Sequence, residues 1–207
     1  MHQILHFAET AYIEAQHLIP LLSDYTNPYD FITRLVRKGD LIRLKNGFFV
    51  IAEKIQKNPV PYNQIANLLY GPSYLSFEWA LSYYGMIPEG VYVITSVSAT
   101  KSKSYATPLG TFDYHYLSHS RYTIGLDLQK DFAGNFLIAT PEKALADLIH
   151  FKSKNLETPK DMLLDLVEAR RIDETVLKTL NRNHLSEIAE NYRSKSVTQL
   201  INALGLL

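Results

Sequence analysis

The pattern of apolar and polar positions changes period once near the start of the chain, and the change predicts two adjoining elements. From Asn27 to Gly39 the period is helical. Phe31, Ile32, Leu35 and Val36 fall on one side with Lys38, while Tyr29, Thr33, Arg34 and Arg37 are left toward the other. Asn27 suits the N-cap, Pro28 the first helical position where its missing N–H costs nothing, and Gly39 the left-handed residue that ends a helix. From Asp40 to Ala52 side chains alternate as in a hairpin. Asn46-Gly47 is the pair favoured in a type I′ turn, so Lys45 is expected opposite Phe48, Leu44 opposite Phe49, Arg43 opposite Val50 and Ile42 opposite Ile51. In that register Ile42, Leu44, Phe49 and Ile51 pack on the preceding helix, and Arg43 and Lys45 share an outer face.

Ahead of this stretch, residues 3–24 read as two short helical pieces, Ile4, Leu5 and Ala8 marking the first and Leu18, Leu21 and Leu22 the second. A brief strand is expected at Tyr12–Ala15. The second piece and the Asn27–Lys38 helix, joined by Ser23–Thr26, have helix-turn-helix spacing. Lys57-Asn58-Pro59-Val60-Pro61 then breaks regular structure, which divides the chain into residues 1–56 and 62–207. Beyond it the pattern predicts a helix at Tyr62–Leu69, and a second helix capped by Ser73 with Phe77, Ala80, Leu81 and Tyr84 on one face. Strands follow at Val91–Thr95, Thr111–Leu117, Arg121–Leu126 and Asn135–Ala139. The polar run Ser98–Tyr105 reads as a mobile loop. Thr140 as cap and Pro141 at the first position open a helix with Ala144, Leu145, Leu148 and Phe151 as its buried stripe. Four more helices are expected at Asp161–Glu168, Asp173–Leu180, His184–Tyr192 and Val197–Leu204. The fold class is therefore α+β: an N-terminal winged helix-turn-helix, then a mixed α/β domain with a helical C-terminal part.

Composition narrows the function. Twenty-one basic and 21 acidic residues cancel, so any affinity for a polyanion must come from a local patch. There is no cysteine, hence no disulfide framework and no thiolate chemistry. No apolar run reaches membrane-spanning length and Met1-His2-Gln3 opens no signal peptide, so a cytoplasmic protein without a membrane partner is expected. Gly-rich phosphate loops and Gly-x-Ser-x-Gly are absent. His115 and His119 lie in a segment that alternates like a strand, where residues four apart are widely separated. Asp147 and His150 share a helix face, as ordinary surface pairs do. No catalytic residue, metal site or cofactor is expected.

A helix, a glycine stop and a basic hairpin in this order read as a recognition helix and wing. Arg37 and Lys38 would also be favoured by the helix dipole without any ligand, and Arg43 and Lys45 could be ordinary solvated positions. As a DNA-binding surface, Tyr29, Thr33 and Arg34 are expected at base edges, Arg34 being suited to a guanine. Arg37, Lys38, Arg43 and Lys45 are expected at phosphates, with Asn46 at the tip. A second basic surface is expected from Lys101, Lys103, Tyr105 and Arg121, against the reading of a merely solvated loop.

Three stretches, in order, resemble the AbiEi-type antitoxins of abortive-infection type IV toxin–antitoxin systems. They are Gly39-Asp40-Leu41-Ile42-Arg43-Leu44 with Asn46-Gly47-Phe48-Phe49; Ser73-Tyr74-Leu75-Ser76-Phe77-Glu78-Trp79-Ala80-Leu81 with Tyr84-Gly85; and Val91–Thr95 followed by Thr140-Pro141-Glu142-Lys143-Ala144-Leu145-Ala146-Asp147-Leu148. The resemblance spans about residues 10–150. It implies a winged helix that binds double-stranded operator repeats and represses its own operon. It also implies a C-terminal domain that opposes a nucleotidyltransferase-like toxin without stable contact. By position, recognition helix and wing fall on Asn27–Lys38 and Arg43–Lys45. Rival readings are a regulator with no toxin, an enzyme with its site in the 91–150 sheet around His115 and Arg121, and a protein-interaction module.

Overall fold

A computed structural model describes residues 10–55, 59–153, 156 and 158–207; the helical piece expected at residues 3–9 and Lys57 and Asn58 of the linker lie outside these. The architecture is mixed α and β with two open sheets. In the first unit β1 (Tyr12–Glu14), α1 (Ala15–Leu18), a 3₁₀ turn (Pro20–Leu22), α2 (Pro28–Arg37), β2 (Leu41–Lys45) and β3 (Phe48–Ile51) follow in order. The sheet runs β1-β3-β2, all antiparallel. The Asn27 side chain accepts the Asp30 N–H, and Gly39 at φ +66° stops the helix. Phe31, Ile32 and Leu35 of α2 are buried with Leu18, Leu22, Leu41, Phe49 and Ile51. Leu21 is not part of this stripe: the tighter 3₁₀ winding after Pro20 turns it outward, 55% exposed.

The hairpin differs from its expected register. Lys45 does pair with Phe48, but a bulge between Arg43 and Lys45 shifts the rest, so that Arg43 faces Phe49, Ile42 faces Val50 and Leu41 faces Ile51. Gly47 takes φ +76° while Asn46 keeps a negative φ, so the turn is not type I′. The consequence is a sheet with two apolar faces. Leu41, Phe49 and Ile51 pack under α2, whereas Leu44, Phe48 and Val50 join the larger core of the second unit. Arg43 and Lys45 are thereby sent to opposite sides. The inserted residue releases Leu44 to that second core, and this burial is the reason for the shift.

The second unit comprises α3 (Tyr62–Leu69), β4 (Ser73–Leu75), α4 (Phe77–Tyr83), β5 (Val93–Ser98), β6 (Lys103–Thr107), β7 (Gly110–Tyr116), α5 (His119–Tyr122), β8 (Leu126–Asp131), β9 (Gly134–Ala139), α6 (Pro141–Lys152), α7 (Pro159–Leu164), a single π-helical turn (Asp165–Ala169), α8 (Glu174–Thr179), α9 (Arg182–Tyr192) and α10 (Lys195–Leu204). Its mixed sheet has the order β6-β7-β5-β4-β9-β8. Three expectations are corrected. Ser73 does not cap a helix but begins β4, a central strand buried throughout. The supposed loop contains β6, an edge strand whose lysine, serine and threonine disguise it, paired with β7 through a tight turn at Gly110. Arg121 lies in the short α5, and the strand begins only at Leu126, where Gly125 at φ +73° lets the chain turn.

Helices cover both faces of this sheet. On one face Tyr114 donates its hydroxyl to the Ala66 carbonyl of α3. On the other, the His115 ring lies 4.8 Å from Phe77 of α4 and 5.4 Å from Phe151 of α6. Thr140 caps α6 by accepting the Lys143 N–H. Residues 142–149 are all buried, because α9 and α10 cover the side of α6 that the sheet does not. Among the described residues no helix is long and apolar enough to cross a membrane.

Candidate functional site

The buried face of α2 fixes the rotation of the helix and so decides what faces outward. Tyr29 is 65% exposed, Arg34, Arg37 and Lys38 are exposed, and Thr33 is half-buried with its hydroxyl donating to the Tyr29 carbonyl. The Arg34 guanidinium rests 5.5 Å from the Phe31 ring and that of Arg43 5.6 Å from Phe49, so each stem lies along apolar surface while its charge stays in water. None of Arg34, Arg37, Lys38 and Arg43 has an ion-pair partner among the described residues. Tyr25, Thr26, Asn27, Asp30, Thr33, Arg34 and Arg37 line a shallow cleft along this face. Asp30 is its one acid, held by the Asn27 amide at 2.9 Å.

Of the hairpin residues expected to form a wing, only part is available. Asn46 is exposed at the hairpin tip. Lys45, expected beside Arg43, instead donates to the Leu69 carbonyl at 2.6 Å, and its ammonium lies 5.8 Å from the Phe48 ring. Leu69 ends α3, where unpaired carbonyls and the negative dipole end favour a cation. Lys45 thus ties the hairpin to the second unit.

The second basic surface is brought together only in part. Lys103 on β6 sits 4.7 Å from the Tyr105 ring and 5.4 Å from Tyr70, and Lys101 is exposed just before it. Hydrogen bonding to the Tyr105 hydroxyl holds the Lys103 ammonium above its ordinary pKa. Arg121 belongs elsewhere: α5 packs on α9, and the Arg121 carbonyl accepts the Lys143 ammonium at 2.6 Å.

His115 and Arg121 are likewise separated. His115 lines a cleft of about 680 Å³ between α4, α6, the 87–93 loop and the Ala169-Arg170 turn; Arg121 does not. Asp113, two residues away on the same face of β7, lines it too, with Glu78, Lys152 and Thr95. Burial lowers the His115 pKa below its ordinary value, against the smaller opposing effect of Asp113. Behind the cleft, beside Glu78, the buried Phe77 has φ +57°, a region costly for a bulky side chain that its packed surroundings enforce.

The sequence pattern missed a buried polar network centred on Asp147. Lys143 and Asp147 are both fully buried, at 3.4 Å. Asp147 also accepts from Tyr74 at 3.1 Å, from Ser76 at 2.6 Å and from Tyr192, while Lys143 donates to the Tyr192 hydroxyl and lies 4.4 Å from that ring. Burial and the Asp147 charge push the Tyr74 and Tyr192 hydroxyls well above the usual tyrosine range, and burial lowers the Lys143 ammonium. Asp147 is therefore no surface partner of His150, whose ring pairs with the Ser194 hydroxyl at 3.1 Å. The available signal was the i, i+4 spacing of Lys143 and Asp147 inside an apolar helix. The network is enclosed, so it holds sheet, α6 and α9 together. Neither protein-family models nor curated proteins compared with the chain match it.

Proposed function

We propose that residues 10–55 bind double-stranded DNA as a winged helix-turn-helix with α2 in the major groove, and that the protein is a cytoplasmic, autoregulating antitoxin opposing a nucleotidyltransferase-like toxin. One observation carries the DNA-binding part. Arg34, Arg37, Lys38 and Arg43 stand exposed without acidic partners on and beside a helix whose inner face is locked into a core. Of the cations elsewhere, Lys152, Arg170 and Arg171 are matched by Glu78, Asp165 and Glu89, while exposed ones such as Lys101 and Lys130 stand singly among the described residues. Unneutralised charge on one face is what phosphate recognition requires, because counterion release supplies most of the non-specific affinity. Tyr29, Thr33 and Arg34 read base edges, while Arg37, Lys38 and Arg43 hold the backbone. Lys45 is engaged by Leu69 and takes no phosphate. The antitoxin assignment, with operator repeats as target and no stable contact with the toxin, rests on the ordered resemblance of residues 10–150 to the AbiEi-type family.

The test is binding of the full chain to its own upstream DNA over a range of salt. Arg37→Ala is expected to weaken binding to all duplexes and to flatten the log–log salt slope by about one. Arg34→Ala is expected to lose about 1–3 kcal/mol for the upstream DNA and less for a scrambled duplex. If both variants bind as the parent does, α2 is not the interface.

A further inference from the structure

The cleft beside β7 is large, part apolar and part polar, and its polar groups are unevenly satisfied. At about 680 Å³ it has the size of a small-molecule site. Ile87, Val91 and Val93 give it an accessible apolar side, backed by the buried Leu81 and Leu148. Most of its charges are satisfied within the protein. Both Glu78 oxygens accept from Lys152, at 2.6 and 2.8 Å, and Arg170 is held by Asp165 at 2.6 Å. Glu89 is paired with Arg171 at 2.9 Å, and the Thr95 hydroxyl donates to the Ser76 carbonyl at 2.9 Å. Two groups remain. The Asp113 carboxylate and the His115 ring face the cleft together, since Tyr114 between them points to the opposite side of the sheet. Neither makes a hydrogen bond or ion pair among the described residues.

The sum is one unmatched negative charge beside an imidazole, over an apolar surface. The imidazole packs against both the Phe77 and Phe151 rings, the three forming a triangle of mutual contacts, so its position is restrained before anything binds. Burial lowers its pKa and so favours the neutral ring, which offers an acceptor nitrogen instead of a competing cation. We propose that this cleft binds a small organic cation, an amine on an apolar body, whose ammonium donates to Asp113 and His115 while the body lies on Ile87, Val91 and Val93. Tyr92, 90% exposed at the mouth, gives the body an aromatic face to close against. An anionic ligand is excluded by the same groups, because it would meet Asp113 without a free cation to offset it.

This site is independent of the DNA-binding reading, and its test uses no DNA. Phenethylamine and phenylacetate share an apolar body and carry opposite charges. Saturation-transfer NMR on the full chain is expected to show saturable phenethylamine binding at about millimolar concentration, with a shift of the His115 ring protons, and no phenylacetate binding. Asp113→Asn, which keeps the shape and removes the charge, is expected to weaken the amine about tenfold or more. The proposal is overturned if phenethylamine fails to bind up to about 10 mM, if phenylacetate binds equally well, or if folded Asp113→Asn keeps the parent's affinity. The comparison of the two probes on the unaltered chain decides the matter even if the variant does not fold.

Discussion

Single residues carry the largest expected effects where charge or backbone is enclosed. Asp147 holds a buried ammonium and accepts from three hydroxyls, so Asp147→Asn leaves Lys143 charged without its counterion. A loss of about 3–5 kcal/mol is expected by urea unfolding. Gly125 combines φ +73° with a position where an added Cβ would sit 2.7 Å from the Lys143 Cβ. Gly125→Ala is expected to cost about 2–5 kcal/mol in the same assay. His115 sets a pH dependence. Its folded pKa is depressed by burial below the ordinary 6.5. The unfolded chain therefore takes up the proton first, so stability is whole above about pH 6.5 and falls as pH drops through that value toward the folded pKa. His115→Gln is expected to lose less stability than the parent between about pH 7.5 and about pH 5, as read from urea midpoints.

At the scale of elements, the hairpin and the strand before α4 show what local rules convey. The α2 boundaries were legible because cap, proline and glycine act within a few residues, and the same holds for α6 with Thr140 and Pro141. The hairpin was legible as a hairpin, but its register was not. The bulge at Leu44 answers to a core assembled by residues far along the chain, among them Ile65, Leu69 and Tyr74. β4 and β6 were missed for the same kind of reason: three buried residues and five mostly polar ones carry little pattern, and partners elsewhere in the sheet make them strands. Lys45 follows from the register. Lys45→Ala is expected to leave the salt slope of DNA binding unchanged while costing about 1–2 kcal/mol of stability through the lost bond to Leu69.

At the scale of the whole molecule, the two cores share one sheet. Leu44, Phe48 and Val50 pack into the larger core from the face opposite α2. A fragment of residues 1–56 would expose all three. It is expected to self-associate or remain partly unfolded, giving poorly dispersed amide spectra where the full chain gives sharp ones. The arrangement also holds α2 at a set orientation to the second unit. The proposed DNA surface and the β7 cleft are thus parts of one packed body.

Local signals along the chain placed most of the helices, the turn of the first hairpin and the polar face of α2, because caps, turn residues and periodicity act between near neighbours. They put Arg43 and Lys45 wrongly on one face and Asp147 wrongly at the surface, and gave no sign that Asp113 and His115 share a cleft with Glu78 and Lys152. Those outcomes belong to the tertiary structure alone. Burial is set by what arrives from distant parts of the chain, and the environment it creates decides whether a charged side chain meets water, a counterion or a ligand.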